Sequence, residues 1–417
     1  MKKRNAILIE NILSLLLFQG INYIFPIITL PFLVRTLGTE TYGLYSFIFS
    51  FINYFVVFVD YGFNLTATRE ISVNRENPEK VSLIFCTVTL VKVILMLIGL
   101  VILVLLILFV DIFKENNTLY LASFLSVVGS VFYPVWFFQG VERMKTLVLI
   151  NTVSKIIFTA ALFIFISKST DLILVVLFQS LAVVISGLAG LFIILRSYNI
   201  VFKTPSIKLL KEQIVNGVNV FVTIFSSTIF SNGNIFLLGI LTDNVTVGHF
   251  AIADKIIRVF INITAPISTA IFPRVSHLYK QSTESALAFL KKIAFSVSAV
   301  IILICILLLC NADILVHLIT NENIPEIGFL IRIMSFLPLT IFLDNIFGTQ
   351  ILINIGKSKQ FMLSVLIPGM ISILFSIILI PIYKSLASAM IVIFSEAFVL
   401  FLMMWFVSKS NIHIFEK

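Results

Sequence analysis

Charged residues, cysteines and nucleotide-binding loops are scarce or missing in this sequence. Only 12% of its 417 residues are Asp, Glu, Lys or Arg, whereas a soluble globular domain carries about 25%. With 59% hydrophobic residues and a mean hydropathy of +1.12, this scarcity excludes a soluble fold and predicts a membrane-embedded chain. No glycine-rich loop ending in Lys-Ser or Lys-Thr occurs, so the chain is not expected to hydrolyse ATP.

The sequence also offers no metal-binding or catalytic cluster. The number of cysteines is odd and all lie in apolar runs, which argues against a disulfide framework; they are Cys86, Cys305 and Cys310. The histidines pair with no cysteine or carboxylate motif; they are His249, His277, His317 and His413. We therefore expect no metal, no cofactor and no enzymatic activity.

Twelve apolar runs are long enough to span a membrane, which takes about 20 residues. They lie near residues 9–34, 44–66, 82–110, 118–138, 147–167, 172–195, 214–241, 247–272, 290–310, 327–352, 361–383 and 385–407. The polar stretch 196–213, between the sixth and seventh runs, has the composition of a linker. The sequence therefore predicts an all-α, polytopic membrane protein with two lobes of six transmembrane helices, 1–200 and 201–417.

Lysine and arginine concentrate in alternate loops. If the N-terminus is cytoplasmic, the outside loops hold only Arg35, Lys114, Lys168 and Lys384. Because positive residues favour the cytoplasmic side, both termini are predicted to be cytoplasmic, with the basic start of the chain anchoring the first helix. The net charge of +9 then reflects membrane topology, and no nucleic-acid binding is expected.

The second half of the chain repeats the first at an offset of 205 residues. The polar and glycine positions that match are Asn11 with Asn216, Ser14 with Asn219, Asn22 with Ser227, Thr29 with Asn234, Thr41 with Thr246, Gly43 with Gly248 and Arg69 with Arg274. An even number of spans per half makes the repeat parallel, with its pseudo-twofold axis along the membrane normal. Two-half membrane proteins of this kind are typically secondary transporters with a substrate site between the halves.

Polar residues follow one face of the first span and one face of the seventh. The first set is Asn11, Ser14, Asn22 and Thr29, and the second is Asn216, Asn219, Thr223, Ser227 and Asn234. Steps of three and four residues place each set on one helix face. Two interpretations are open: both faces line a shared water-filled cavity, or the side chains form polar contacts between helices.

Ionisable residues inside the spans are energetically costly and are therefore functional candidates. Lys155 and Glu396 lie near the middle of spans five and twelve. Asp254 and Arg258 are four residues apart in span eight, so they can pair on one face. The others are Asp60, Lys92, Lys255, Arg332 and Asp344.

The excess of cations over anions inside the spans favours an anionic substrate. A diphosphate needs ammonium or guanidinium groups to replace its water, although structural ion pairs would give the same pattern. The carboxylates are candidates for ion coupling; they are Glu396, Asp254, Asp60 and Asp344. Glu396 is the candidate proton carrier, and the alternative is that it is a structural partner for a buried Lys or Arg.

Four sequence motifs point to a family. They are PIITLPFLVRTLGTETYG at residues 26–43, DYGFN at 60–64, ATRE at 67–70 and WFFQGVERMK at 136–145. Together they resemble the signatures of Wzx-type flippases, which move O-antigen or capsule repeat units and belong to the multidrug/oligosaccharidyl-lipid/polysaccharide exporter superfamily. The first half matches in its motifs, and the second half matches mainly in its layout.

The resemblance implies two six-helix lobes around a central cavity in the bacterial inner membrane. It also implies a cargo, an undecaprenyl-diphosphate-linked oligosaccharide that turns from the inner to the outer leaflet, with membrane lipids and other polysaccharide-assembly proteins as partners. We infer candidate substrate-binding residues for that cargo, and the three cations among them lie in none of the four motifs. The candidates are Lys155, Arg258, Arg332, Asn22, Asn219 and Asn234.

Three other functions fit the sequence less well. A multidrug or organic-cation antiporter of the same superfamily would favour a cavity rich in carboxylates, whereas this chain has more Lys and Arg within its spans. A polysaccharide polymerase would need a long outer loop with basic catalytic residues, and no such loop is present. A purely structural membrane protein would not explain the duplicated polar faces.

Overall fold

The computed structural model describes residues 2–198 and 200–410, and the side chains of these residues except 2–16, 18, 23 and 231. The described residues are almost entirely helical and contain no β-strand. This arrangement is what a lipid environment demands, because an α-helix satisfies its backbone hydrogen bonds internally. His413, and the side chains of Asn11 and Ser14, lie outside the described part.

The helices of the first 241 residues are α1 Lys2–Leu37, α2 Thr39–Asp60, α3 Phe63–Asn74, α4 Pro78–Phe109, α5 Asp111–Lys114, α6 Asn117–Phe132, α7 Val135–Gly140, α8 Met144–Phe165, α9 Leu172–Ser197 and α10 Ile207–Leu241. They are followed by α11 Asn244–Asn262, α12 Ala265–Gln281, α13 Thr283–Cys310, α14 Ala312–Thr320, α15 Pro325–Met334, α16 Leu337–Asp344, a π-helix Asn345–Leu352 and α17 Ser358–Ser408. A 3₁₀ turn, Ser169–Asp171, precedes α9.

The predicted membrane spans are confirmed. In the described residues, eleven helical stretches are long and apolar enough to cross a membrane. The last of them, α17, contains Lys384 with φ 50° and ψ −130°, which is not a helical conformation. This residue divides α17 into two spans, so the chain contains the twelve that the sequence predicts.

Packing divides the chain into two compact units. One comprises Met1–Leu37 with Tyr45–Gly233, and the other comprises Gly38–Leu44 with Asn234–Lys417. The boundary between the units therefore falls inside α10. The two sequence lobes, 1–200 and 201–417, describe the repeat and stay a prediction.

Four of the spans are broken helices, and their positions recur in the two halves. The breaks lie between α2 and α3, between α6 and α7, between α11 and α12, and between α15 and α16. Proline accounts for three of them, because it removes a backbone donor and clashes with the preceding turn: Pro134 precedes α7, Pro266 lies in the first turn of α12, and Pro338 in that of α16. The break after α2 has no proline and instead uses left-handed φ values at Tyr61 and Gly62.

Each unit has its own apolar core. In the first unit, aromatic rings from several helices stack, and Phe51 lies with its ring centroid 4.6 Å from that of Phe113 and 5.8 Å from that of Tyr120. In the second unit, α12, α13, α17 and the π-helix enclose a cluster that includes Val275, Phe342 and Met403. The remaining apolar side chains at the surface of these helices face outward, as membrane helices require.

The second unit contains a glycine-mediated crossing between the start of α2 and the start of α11. A Cβ atom on Gly43 would overlap the backbone oxygen of Asn244, and a Cβ atom on Gly248 would overlap that of Thr39. The 205-residue offset relates Thr39 to Asn244 and Gly43 to Gly248. The contact is therefore reciprocal between repeat-related positions, which is the pattern of a twofold relation.

The crossing predicts that Gly248→Ala destabilises the protein, because the added methyl group can be accommodated only by a shift of backbone. Overpacking of this kind costs about 1–3 kcal/mol, and it should lower the thermal unfolding midpoint in detergent. Gly20→Ala in α1 is the matched control, since nothing lies within 4 Å of its added Cβ atom. Equal midpoints for the two variants would contradict the backbone contact.

Candidate functional site

Lys155 lies in the middle of α8 and contacts α1. Its ammonium group donates a hydrogen bond of 2.5 Å to Oδ1 of Asn22, and it lies 5.9 Å from the ring centroid of Phe25. Lys155 and Asn22 are both half-buried. The structure thus brings together two of the predicted substrate-binding residues, and it adds Phe25, which the sequence did not single out.

The part of α10 that belongs to the first unit has three distinct faces. One face packs on the unit through Gly217 and Phe221. The second carries the predicted polar stripe, and its members are exposed: Asn216, Asn219, Thr223 and Ser227. The third is exposed and apolar, and consists of Val215, Val218 and Val222.

The exposure of these four residues argues against polar contacts between helices along this part of α10. Polar contacts between helices would bury these side chains against partners, whereas all four members are exposed and Thr223 donates only to the backbone of its own helix, at Asn219. A polar face beside an apolar face on one exposed helix fits a boundary between water and lipid. In α1, Thr29 is buried and bonds to its own helix at Phe25, so the cavity interpretation does not extend to that residue.

In the second unit, Asp254 and Arg258 form the predicted pair on one face of α11. The guanidinium Nε donates to Oδ2 of Asp254 at 2.6 Å. The Asp254 side chain is 10% exposed and that of Arg258 is 44% exposed. The carboxylate of the pair is therefore the more buried of the two groups.

Two further carboxyl groups lie beside this pair. Asp344, at the end of α16, is 8% exposed, and its carboxyl group lies next to that of Glu396. Glu396 of α17 lies close enough to Asp344 and to Arg258 to interact with both electrostatically. The second unit thus gathers four predicted candidates into one intramembrane cluster, defined here as Asp254, Arg258, Asp344 and Glu396.

The cluster has more carboxyl groups than it has guanidinium partners. Two neighbouring carboxylates in a poorly hydrated environment repel each other, so a shared proton or a bound cation stabilises them. Lys255 follows Asp254 in the chain and adds a second positive charge nearby. The arrangement is therefore chemically suited to gaining and losing a proton, and in the described residues no group of His, Cys, Asp or Glu could hold a metal ion.

A π-helix follows Asp344 directly and was not predicted from the sequence. It spans Asn345–Leu352, and such segments are rare and frequent at functional sites. Inside it, the buried amide of Gln350 donates to the backbone oxygen of Ser268 at 3.1 Å and to Oδ1 of Asn345 at 3.3 Å. The broken helix that carries Asp344 is thus tied to α12 at the depth of the cluster.

The other predicted residues lie apart from this cluster. Arg332 pairs with Asp313 where both side chains are partly exposed, and pairs of this kind contribute about 0–1 kcal/mol. Oδ1 of Asn234 accepts a hydrogen bond of 3.4 Å from Ser376. In the first unit, Asp60 pairs with the fully buried Lys92 at 2.8 Å. Substrate or ion roles for Arg332, Asn234 and Asp60 stay predictions.

An apolar groove runs between the two spans of α17 in the second unit. Its volume is about 480 Å³, and its lining includes Pro368, Phe375, Met390 and Phe394. Its serines, Ser372 and Ser395, donate to backbone oxygens of their own helix. The groove therefore presents hydrocarbon and suits apolar groups, not sugar.

Solved structures with the same fold are membrane transporters. The lipid II flippase MurJ in an inward closed conformation superposes with a TM-score of 0.74 at 12% identity, covering 96% of this chain and 87% of that one. An inward-facing multidrug resistance MATE family transporter of the MOP superfamily gives a TM-score of 0.67 at 16% identity, covering 95% and 94%. At these identities the likeness establishes the fold alone, a two-lobed arrangement of twelve spans.

Sequence relatives narrow the class. Residues 8–279 match the polysaccharide biosynthesis protein family. The chain is 30% identical over 403 residues to a candidate O-antigen transporter of Escherichia coli (strain K12), covering 97% of each protein. It is 25% identical over 401 residues to one of Shigella dysenteriae, covering 95% of this chain and 98% of that protein.

The chain belongs to the polysaccharide biosynthesis protein family. It is a multi-pass membrane protein with a transporter fold, and its relatives are transporters and not enzymes. The family resemblance that the sequence motifs indicated is therefore confirmed.

The three faces of α10 predict a pattern of chemical accessibility. Cysteine placed at Asn219 should react with a small hydrophilic thiol reagent in membranes, because the polar face meets water. Cysteine at Val218 or Val222 should react slowly, because a thiol in contact with lipid ionises poorly. All variants would be built without Cys86, Cys305 and Cys310. Equal reactivity at Asn219 and Val218 would contradict a water-facing stripe.

Proposed function

We propose that this protein flips an undecaprenyl-diphosphate-linked oligosaccharide repeat unit across the bacterial cytoplasmic membrane by alternating access. The family and the O-antigen relatives support a polysaccharide cargo. The observation that carries the proposal is the intramembrane cation of Lys155, held between Asn22 and Phe25 on two packed helices. Ionisable groups inside membrane spans are by default functional candidates, and an ammonium group suits an anionic cargo.

Lys155 has the chemistry to bind a diphosphate. Its ammonium group is a compact point charge with three donors, and the hydrogen bond to Asn22 uses one of them. Half-burial keeps the ammonium near the interior of the helix bundle and still within reach of a ligand. Arg258, with its side chain 44% exposed, is the corresponding candidate in the second unit, and Arg332 is retained as a weaker one.

The polar stripe of α10 has the chemistry to bind the sugar. Asn216 and Asn219 offer amide donors and acceptors, and Thr223 and Ser227 offer hydroxyl groups. Sugar hydroxyls need both donors and acceptors, and a partly hydrated surface can serve many different sugars. Asn234, further along α10, extends the same set.

In the proposed orientation both termini are cytoplasmic, as the Lys and Arg distribution predicts. The cargo then enters from the inner leaflet and leaves to the outer leaflet, with membrane lipids and polysaccharide-assembly proteins as its surroundings. The sequence contains no ATP-binding loop, so the free energy for net transport comes from an ion gradient or from removal of the cargo outside.

The carboxyl cluster of the second unit is the proposed coupling site. Asp344 is buried, and its carboxyl group lies next to that of Glu396. Arg258 interacts with Glu396 and with Asp254, so a proton or cation gained at the carboxyl groups changes which partner the guanidinium favours. Asp60, paired with Lys92, is the candidate in the first unit.

An organic-cation antiporter is the second candidate function, and the same cluster favours it. Three neighbouring carboxyl groups, of which Asp254 and Glu396 interact with the guanidinium, can attract a cationic drug as well as a small cation. Lys155 opposes this alternative, because a positive group on the substrate path repels cationic cargo. A transport assay with both kinds of cargo therefore separates the two functions.

For the anionic cargo, Lys155→Ala should slow flipping of a lipid-linked diphosphate oligosaccharide in proteoliposomes. Loss of a charged hydrogen bond costs about 1.5–3 kcal/mol, equivalent to about 10–100-fold in rate or affinity. Lys155→Arg, which keeps the charge, should retain part of the activity. Lys114→Ala removes an exposed lysine and serves as the control. Undiminished flipping in Lys155→Ala, or faster efflux of an organic cation by the parent protein, would overturn the proposal.

For the coupling site, Glu396→Gln and Asp344→Asn should each weaken the dependence of transport on pH or sodium. Each substitution keeps the shape of the side chain and removes its capacity to bind a proton. Initial rates would be measured in vesicles with imposed gradients, with Glu322→Gln on an exposed loop as the control. A parental response to both gradients in both variants would remove the cluster from the coupling mechanism.

A further inference from the structure

Lys92 is a fully buried lysine that joins two helix breaks of the first unit. It lies in the middle of α4 and is 1% exposed. Its ammonium group donates to Oδ1 of Asp60 at 2.8 Å and to the backbone oxygen of Ser130 at 2.7 Å. Asp60 is the last residue of α2, and Ser130 lies in the last turn of α6. Lys92 therefore contacts two spans at the points where they stop being helical.

The Ser130 oxygen needs such a donor because of the proline that follows it. In a continuous helix this oxygen would accept from the backbone N–H four residues later, but that residue is Pro134, which has no N–H. An unpartnered carbonyl in the interior of a membrane protein costs several kcal/mol. The Lys92 ammonium meets this need.

Asp60 stands at the second break. The two residues after it, Tyr61 and Gly62, have φ values of 45° and 79°, in the left-handed region. A non-glycine residue in that region is strained and persists only where its surroundings hold it. The ion pair with Lys92 fixes the residue immediately before this strained turn.

Helix α10 packs against this strained turn. A Cβ atom on Gly62 would lie 2.6 Å from Val220, and one on Gly217 would lie 3.0 Å from the Tyr61 ring. The rings of Tyr61 and Phe221 stack at 4.7 Å with an interplanar angle of 10°. These contacts are on the opposite side of α10 from Asn219, so the turn sets which way the polar stripe faces.

The short helices after the two breaks form a second link to α10. Thr68 of α3 donates to the backbone oxygen of Trp136 in α7 at 3.1 Å, and Gly140 lets α7 approach Ile71 closely. Glu70 of α3 accepts a hydrogen bond of 2.6 Å from Gln213 in the first turns of α10. A shift at either break is therefore transmitted to the same end of α10.

We propose that Lys92 is a positioning residue for transport: by holding the breaks at Asp60 and Pro134 in register, it orients the polar stripe of α10 toward the cargo. This role rests on the proposed function of that stripe. Lys92 itself is enclosed by protein and does not contact cargo. Its conformational role is separable from simple stability, because buried ion pairs replaced as a whole by neutral groups often leave stability unchanged.

The test uses a variant that removes the Lys92 ammonium group and compensates both of its partners, the Asp60 carboxylate and the Ser130 backbone oxygen. Lys92→Met removes the cation, Asp60→Asn removes its counter-charge, and Pro134→Ala supplies the backbone donor that Ser130 lacks. The triple variant should keep the thermal unfolding midpoint of the parent. Its transport should fall about tenfold or more below that of Asp60→Asn alone, since that single variant already removes the candidate coupling carboxylate. A misplacement of about 1 Å can cost about 100-fold.

Orientation of α10 is read independently of cargo. Single cysteines at Asn219 and at Val218 would be labelled with a hydrophilic thiol reagent in the parent and in the triple variant, both without native cysteines. We expect the ratio of the two labelling rates to fall at least severalfold in the triple variant. Because this readout needs no substrate, it changes even if the cargo is not the one proposed.

A milder pair of variants covers the case in which the triple variant does not fold. Asp60→Asn keeps an oxygen that accepts from Lys92, so the labelling ratio should stay parental. Asp60→Ala removes the acceptor, so the ratio should fall. An unchanged ratio in both Asp60→Ala and the triple variant would overturn the proposal, as would parental transport in a triple variant whose ratio has fallen.

Discussion

The structure depends on one constraint: a broken helix inside a membrane must find partners for the backbone groups that the break sets free. In the first unit Lys92 supplies a donor to the Ser130 oxygen beside Pro134 and ties it to the end of α2. In the second unit a neutral side chain from a π-helix, Gln350, reaches the backbone oxygen of Ser268 in α12. The breaks recur in both halves of the repeat, but the means of stabilising them differ.

That difference extends to the intramembrane charges. The first unit holds cations inside, with Lys155 on Asn22 and Lys92 on Asp60. The second places Asp254 and Glu396 beside Arg258, and Asp344 beside Glu396. The two halves of a duplicated protein can therefore have different functions, because each half keeps the same helices and differs from the other in only a few buried side chains. We propose that the first unit binds the anionic cargo and that the second unit exchanges a proton or small cation.

The sequence was sufficient for features that depend on local pattern. Hydropathy predicts the twelve spans, and spacing predicts the pair of Asp254 with Arg258. It was insufficient where the partner is distant or is a backbone atom. Periodicity places Lys155 on a helix face but does not show that Asn22 lies opposite, and no side-chain pattern reveals that the partner of Lys92 is a carbonyl oxygen. The turn at Tyr61 also escapes prediction, because tyrosine rarely adopts a left-handed φ.

The glycine crossing of α2 and α11 has a consequence for biosynthesis. Gly43 and Gly248 are 205 residues apart, and a chain is synthesised at about 5–20 residues per second, so the first glycine waits roughly 10–40 s for its partner. During that interval the start of α2 is in the membrane with its close-packing surface uncovered. The crossing can therefore close only after α11 has been synthesised, and a nascent chain that stalls before α11 lacks the backbone that packs on Gly43.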